Sequence, residues 1–463
     1  MSENVTTALE AVPFRVTNPE LIPAQRYYDE VFFKLENEKL WPHVWQMACR
    51  LEEIPNVGDY TEYTILDKSV IIVNTKSGVK AFHNVCRHRG IRLATGPGNC
   101  KTAGFICPFH GWRWNAEGRN TFVFGKQIFS KEVLEQAEID LKPCRVEFWA
   151  GCAFINFDDN ASSLAETLGP VQNLLGVRNV DKLKMDWWYA TELPTNWKLA
   201  MEAFMEGYHT MRTHPQLQTL APPGMGPFGD DTGSGLNNNR QLTSRELVNQ
   251  SVDFMARIGT GMAGMVHQTE IEVLEKLRDM EVPDDPMGAI MAFYSRAQDE
   301  IAKDGYARGA PMFDLPKVSA ETPAHDVEFM FPHFFLLPMF AAMSSYRIRP
   351  LTPETCLFEI WSLVLRPDGE EYDTPKQPTI LPYDSAEFPE IPQQDYSNLP
   401  RQQLGLHAGE FTHMRLSKQY EGMISNHQRL IDGYLAGLPL ETLAKATNVV
   451  NSGYNTPILD IGF

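Results

Sequence analysis

The chain has 463 residues, 43% hydrophobic and 11% aromatic, which is enough apolar material for a large core in one to three domains and too much for a disordered chain. With 59 acidic against 41 basic side chains the formal charge is −18. Such a surface repels nucleic acid and anionic membranes, yet an acidic face can steer a basic patch on another protein. The seven cysteines are an odd number in a large chain, which argues against a disulfide framework and for a reducing compartment where a special cysteine serves a metal or catalysis.

Met1 to Phe14 has neither a basic leader nor a continuous apolar run. The most apolar stretch, Phe334 to Met343, is ten residues long and contains Pro338, far short of a membrane span. The chain is expected to be cytoplasmic. A helix is predicted from Tyr28 to Leu40, ending at the Trp41-Pro42 break. From Trp45 to Phe157 the texture is β, with short apolar runs such as Ser69–Asn74 and Cys152–Phe157.

Beyond Asp158 the helices lengthen, and strands are expected again only at 184–193 and 327–366. Residues 216–240 read as a loop and 269–304 as helix interrupted at Pro283 and Pro286, a middle region expected either to cover a site or to be a solvent-exposed insertion. The last long helix is predicted at Arg415 to Ala436.

Two constellations carry chemistry. The first is Cys86-x-His88, with Gly90 following, and Cys107-x-x-His110, with Gly111 following; eighteen residues separate His88 from Cys107. A structural zinc site uses these ligand types but usually opens on paired cysteines and closes on paired histidines. A four-thiolate iron–sulfur cluster needs two more cysteines than the loops offer. A Rieske [2Fe–2S] cluster takes two cysteines on one iron and two histidines on the other, and this pattern resembles it. Replacing two thiolates by neutral imidazoles makes such a cluster a readier electron acceptor. The respiratory branch adds a disulfide between the loops, at positions that here are Ile91 and Phe109.

The second constellation runs from Asn196-Trp-Lys to Glu206-Gly-Tyr208-His209 and His214-Pro215. On an ideal helix the two histidines stand about 140° apart, so they meet on one metal only if the helix ends or distorts between them, and Pro215 is a candidate terminator. Glu206 lies one turn before His209, placed to accept a hydrogen bond from its ring. Two histidines and a carboxylate form the facial triad of non-haem Fe(II) oxygenases.

Placed behind the first constellation, this segment resembles the large (α) subunit of Rieske non-haem iron aromatic ring-hydroxylating oxygenases. The resemblance implies an α+β chain: a small antiparallel β Rieske domain inserted in a catalytic domain whose antiparallel sheet is covered by helices, a helix-grip arrangement. The implied divisions are 1–40, a helical segment packing on the catalytic domain; 41–157, the Rieske domain; and 158–463, the catalytic domain. It further implies that Cys86, His88, Cys107 and His110 hold the cluster, and that His209, His214 and Asp395 hold a mononuclear iron. Asp395 comes from the Gln394-Asp395 segment, with Asp373 and Asp384 as rivals and a helix N-cap or an exposed loop position as its alternative role.

By the same resemblance Glu206 bridges a neighbouring subunit's cluster histidine to His209, in a homotrimer or an α3β3 assembly. Most family members carry Asp at that position, and often Asn where Ala203 stands. Electrons are expected from NAD(P)H through a separate reductase, with or without a ferredoxin. The expected reaction is O₂-dependent hydroxylation of an apolar ring compound, with cis-dihydroxylation leading and O- or N-demethylation or monohydroxylation second. A non-catalytic electron-transfer protein is the alternative from another class.

Gly259-x-Gly261-x-x-Gly264 spells a dinucleotide fingerprint, but the polar stretch 249–253 precedes it where a strand is required. Met201, Met205 and Met211 are expected in the core before a substrate pocket, as is His333. Cys49, Cys100, Cys144, Cys152 and Cys356 are expected as buried thiols.

Overall fold

The computed structural model describes residues 3–217, 242–451, 453 and 456–463; most of the loop read at 216–240 therefore lies outside the described residues. Asp29 accepts a hydrogen bond from Phe32 N–H at 2.8 Å and so starts helix α1 (Glu30–Lys39) two residues later than Tyr28.

The β-rich part forms a seven-stranded antiparallel sheet and a small satellite. The strands are β1 (Gln46–Arg50), β2 (Asp59–Ile65), β3 (Lys68–Thr75), β4 (Gly78–His83), β5 (Gly98–Asn99), β6 (Phe105–Ile106), β7 (Arg113–Trp114), β8 (Asn120–Phe122), β9 (Pro143–Trp149) and β10 (Cys152–Asn156). Their order is β1-β10-β9-β4-β3-β2-β5, with β6-β7-β8 as the separate sheet. Ile71, Val73, Phe82 and Trp114 build a second, smaller core between these sheets.

The remainder is organised on a six-stranded sheet. Its strands β11 (Lys184–Leu193), β12 (Glu328–Met330), β13 (Phe334–Pro338), β14 (Met343–Thr352), β15 (Thr355–Val364) and β16 (Thr379–Ile380) lie in the order β12-β13-β14-β15-β11-β16. All pairs are antiparallel except β11 with β16.

The two faces of this sheet serve different neighbours. Ser344, Tyr346, Phe358, Ile360 and Ser362 share one face by the period of two, and the helices pack there. On that face Ser344 Oγ donates to Met262 O at 3.0 Å. Arg347 and Glu359 occupy the opposite face, which meets the β-rich part. Arg347 forks onto Glu359, its Nε 2.7 Å from Oε2 and its Nη2 2.7 Å from Oε1, and also donates to Ala48 O on β1.

The helices include α2 (Trp197–Glu202), α3 (Thr210–Thr213), α4 (Ser244–Gly261), α5 (Gln268–Glu275), α6 (Pro286–Arg308), α7 (Glu390–Leu406), α8 (Gly422–Leu435) and α9 (Leu440–Val450). The interruption predicted near Pro283 and Pro286 is present, with Pro286 opening α6 as its first residue. The glycine fingerprint lies on the end of α4, a helix that already contains residues 249–253, so it has no strand before it.

Two expectations are corrected. The last long helix does not begin at Arg415: His413–Arg415 is a strand pairing with Leu21–Pro23, helix starts only at Gly422, and α9 follows it. Strands are also not confined to 184–193 and 327–366, since β16 and His413–Arg415 lie beyond.

The N-terminal segment fastens the site helices. Lys198 Nζ on α2 lies 2.7 Å from Glu36 Oε1 on α1, both side chains fully buried. Arg26 reaches Asp432 and Gln428 on α8. Glu202 accepts from Tyr27 Oη at 2.8 Å and from Gln428 Nε2 at 2.6 Å. Gln403 of α7 accepts from Asn196 N–H at 2.8 Å, tying the start of α2 to α7. No described helix is long and apolar enough to cross a membrane.

Candidate metal centres

The two cysteine–histidine loops share one backbone design. In each, the cysteine N–H donates to the carbonyl five residues on (Ile91 and Trp112, both 2.8 Å), and the glycine four residues on donates back to the cysteine carbonyl (both 3.0 Å). Gly90 and Gly111 sit at φ +80° and +70° with nothing within 4 Å of an added Cβ, so glycine is needed for its left-handed backbone and not for space. The first loop is closed by Asn84, whose amide bonds Ala94 O, Leu93 N and Ala94 N. The second is the tip of the β6–β7 hairpin.

The loops bring the four side chains together. Burial and the adjoining Cys107 thiol push the Cys86 thiol up. The His88 and His110 rings are 4.5 Å apart, and Trp112 stacks on His88 at 5.0 Å, nearly parallel. Both Nδ1 atoms are buried without a hydrogen-bond partner. Two orphaned imidazole nitrogens beside two thiols fit a centre that takes one cysteine pair and one histidine pair. All seven cysteines are buried and free, including the five expected as plain thiols.

The second centre depends on a broken helix. Asn196 caps α2 by accepting from Lys198 N–H at 2.9 Å, and the helix stops at Glu202. After an irregular link, His209 opens the single turn of α3 and His214 closes it, with φ −119° and ψ 65° leading into Pro215. The mismatch of an ideal helix is thereby removed, and the two rings lie 5.2 Å apart. Their Nε2 atoms face Asp395 Oδ1, at 3.8 Å from His209 and 3.1 Å from His214. One ligand atom from each of the three residues falls within a 4.8 Å group. Asp395 is buried in the interior of α7, so it is not an N-cap, and neither Asp373 nor Asp384 belongs to this group.

Each histidine is oriented through its other nitrogen. Glu206 Oε1 lies 2.6 Å from His209 Nδ1, and its Oε2 accepts from the His209 N–H at 3.0 Å. Burial works against the charged His209 ring, but the Glu206 hydrogen bond and charge, with Asp395, raise it overall. His214 is held by Gln394, whose Oε1 lies 2.6 Å from His214 Nδ1, and Gln216 Nε2 donates to that same oxygen at 2.8 Å. Gln394 was not foreseen from the sequence, since an amide carries no ligand signature; its adjacency to Asp395 was the available clue. Met201 and Met205 are fully buried core residues, and His333 packs edge-on against Trp41 in the core.

Comparison with known proteins agrees with this geometry. Residues 44–123 match the Rieske [2Fe-2S] domain and residues 180–437 the ring hydroxylating alpha subunit (catalytic domain). The carnitine monooxygenase oxygenase subunit of Escherichia coli is 32% identical over 197 residues, 42% of this chain and 52% of that protein. The 2-aminobenzenesulfonate 2,3-dioxygenase subunit alpha of Alcaligenes sp. is 32% identical over 205 residues, 42% of this chain and 50% of that protein. The chain thus spans about half the length of these curated relatives.

Naphthalene 1,2-dioxygenase from Rhodococcus sp. has the same fold, with a TM-score of 0.61 at 18% identity over 94% of this chain and 99% of that one. A Rieske cluster and a mononuclear iron are the cofactors of such a chain, and the orphaned Nδ1 pair and the His–His–Asp group fit them. The chain belongs to the ring-hydroxylating α-subunit family of Rieske oxygenases.

Proposed function

We propose that this chain is the terminal oxygenase of a multicomponent system and inserts a single oxygen atom, as a hydroxylation or an oxidative demethylation. The grouping of His209, His214 and Asp395 with both histidines oriented from behind carries the oxygenase reading. It also speaks against a protein that merely relays electrons. Similarity to a carnitine monooxygenase supports the single-oxygen outcome and weakens the expectation of an apolar ring substrate. Ring dihydroxylation remains the second reading, favoured by equal identity to an aromatic sulfonate dioxygenase.

In this proposal Cys86, His88, Cys107 and His110 hold the cluster, and His209, His214 and Asp395 hold the iron. The iron supplies open coordination positions for O₂. Glu206 and Gln394 fix both histidines with Nε2 turned toward Asp395 and keep a proton on Nδ1. The Glu206 carboxylate, 8% exposed, is the nearest charged group behind His209 and is suited to link it to an electron source on a neighbouring copy in a trimer. A reductase, directly or through a ferredoxin, delivers electrons from NAD(P)H, and the acidic surface of the chain favours a basic donor face.

The test is turnover of anaerobically reduced protein under ¹⁸O₂ with pooled quaternary-ammonium, methoxylated and aromatic compounds. One labelled oxygen or a lost methyl group in the product supports the proposal. Two labels in one product move the chain to the dioxygenases.

A further inference from the structure

A cavity of about 410 Å³ opens beside β11 on the helix-covered face of the six-stranded sheet. Small-molecule sites are typically of this size. Three aromatic side chains wall it. The Trp187 and Tyr189 rings are 4.7 Å apart, and Phe388 meets Tyr189 edge-on at 6.1 Å. Three carboxylates lie around them, from Asp186, Glu387 and Glu390, and no lysine or arginine lines the cavity among the described residues. Asp186 is already matched, with Arg366 Nη2 at 2.6 Å and His267 Nε2 at 3.6 Å. Glu387 and Glu390 are exposed at the mouth and have no ion-pair partner among the described residues.

The cavity meets α7, the helix that carries Asp395, although His209, His214 and Asp395 themselves do not line it. Phe388 also packs edge-on against Tyr396 at 5.2 Å, and Tyr396 follows Asp395 in α7. Glu390 and Asp395 lie on the same helix, about 7.5 Å apart along its axis.

Aromatic faces with surplus negative charge select a particular guest. An anion is repelled. A primary ammonium would take its N–H donors to the carboxylates and away from the ring faces, which cannot serve them. A quaternary ammonium has no N–H to satisfy, presents methyl groups to the rings and is attracted by their quadrupoles. We infer that this cavity is the recognition subsite for a substrate bearing a quaternary ammonium group, with Trp187, Tyr189 and Phe388 packing on its methyls and Glu387 and Glu390 supplying the field. The inference rests on the proposed monooxygenase for the fate of the ligand, but not for its binding.

The experiment titrates the holoenzyme with choline and with 3,3-dimethyl-1-butanol, its neutral carbon isostere, following tryptophan fluorescence and calorimetry. Choline is expected to bind about tenfold or more tightly than the alcohol, the increment of a desolvated cation–π site. Trp187→Leu is expected to weaken choline by about tenfold and the alcohol far less. The double variant Glu387→Gln/Glu390→Gln, at exposed positions that do not threaten folding, is expected to shrink the preference. Equal binding of the two compounds, binding of neither, or a preference untouched by these variants overturns the inference. If choline is preferred while the ¹⁸O₂ products carry two labels, the subsite stands and the monooxygenase reading falls. If a single label enters product without any choline preference, the reverse holds.

Discussion

Gln394 and His214, 180 residues apart in sequence, meet at 2.6 Å, and the amide oxygen that receives the ring nitrogen is itself held by Gln216. The arrangement parallels the Glu206–His209 contact but uses a neutral amide in place of a carboxylate. Removing such an outer partner typically costs about 10–100-fold in metal affinity. Gln394→Leu is expected to lose iron by that factor, read by chelator competition, while the visible spectrum of the cluster is unchanged. Equal iron affinity would show that packing alone fixes the ring.

Asp395→Ala is expected to abolish iron binding and oxygenation while leaving the cluster spectrum intact. Oxygenation at the wild-type rate would remove Asp395 from the ligand set. Glu206→Gln is expected to leave cluster reduction by dithionite unaltered and to slow single-turnover oxidation of the cluster by iron and O₂. An unchanged rate would end the bridging role.

Burial raises the Glu202 carboxyl to about 7, above its ordinary value of 4.5, against the opposing hydrogen bonds of Gln428 and Tyr27. A carboxyl raised in the folded state favours folding while protonated, so its contribution is present at low pH and is lost as pH climbs from about 4.5 through 7. The loss amounts to about 3 kcal/mol. Glu202→Gln mimics the protonated form and is expected to raise thermal stability relative to wild type at pH 8 but not at pH 5. Parallel melting curves at the two pH values would refute this.

Arg347 and Glu359 are almost wholly buried where the six-stranded sheet meets β1. Glu359 also meets Arg349 Nε at 3.1 Å, so losing Arg347 leaves the carboxylate one partner, whereas losing Glu359 leaves two guanidiniums without theirs, at a cost of up to about 3–5 kcal/mol. Glu359→Leu is expected to lower the denaturant midpoint by more than Arg347→Met does. A larger loss for Arg347→Met would show that its contact to Ala48 O, and not the shared carboxylate, sets the cost.

The cluster loops were legible because cysteine and histidine at these spacings, each pair followed by glycine, satisfy few other needs. His209 and His214 were legible as a pair, though their meeting depended on a helix break that Pro215 only hinted at. Asp395 could be named by resemblance, but Gln394 could not, because an amide beside a ligand looks like any surface glutamine. The cavity was hidden for another reason: Trp187, Phe388 and Glu390 come from elements up to two hundred residues apart, and nothing local marks them. The strand at His413–Arg415 was missed likewise, since its partner Leu21–Pro23 lies near the other end of the chain.

Along β15 the alternation of faces separates two kinds of change. Phe358, Ile360 and Ser362 look toward the helices and the cavity, whereas Glu359 and Trp361 look toward the β-rich part. A substitution at an even position can reshape what is accepted, while its odd neighbours go on anchoring the half that carries the cysteine–histidine loops. Selection can therefore explore new substrates one residue at a time without re-solving how the two halves fit.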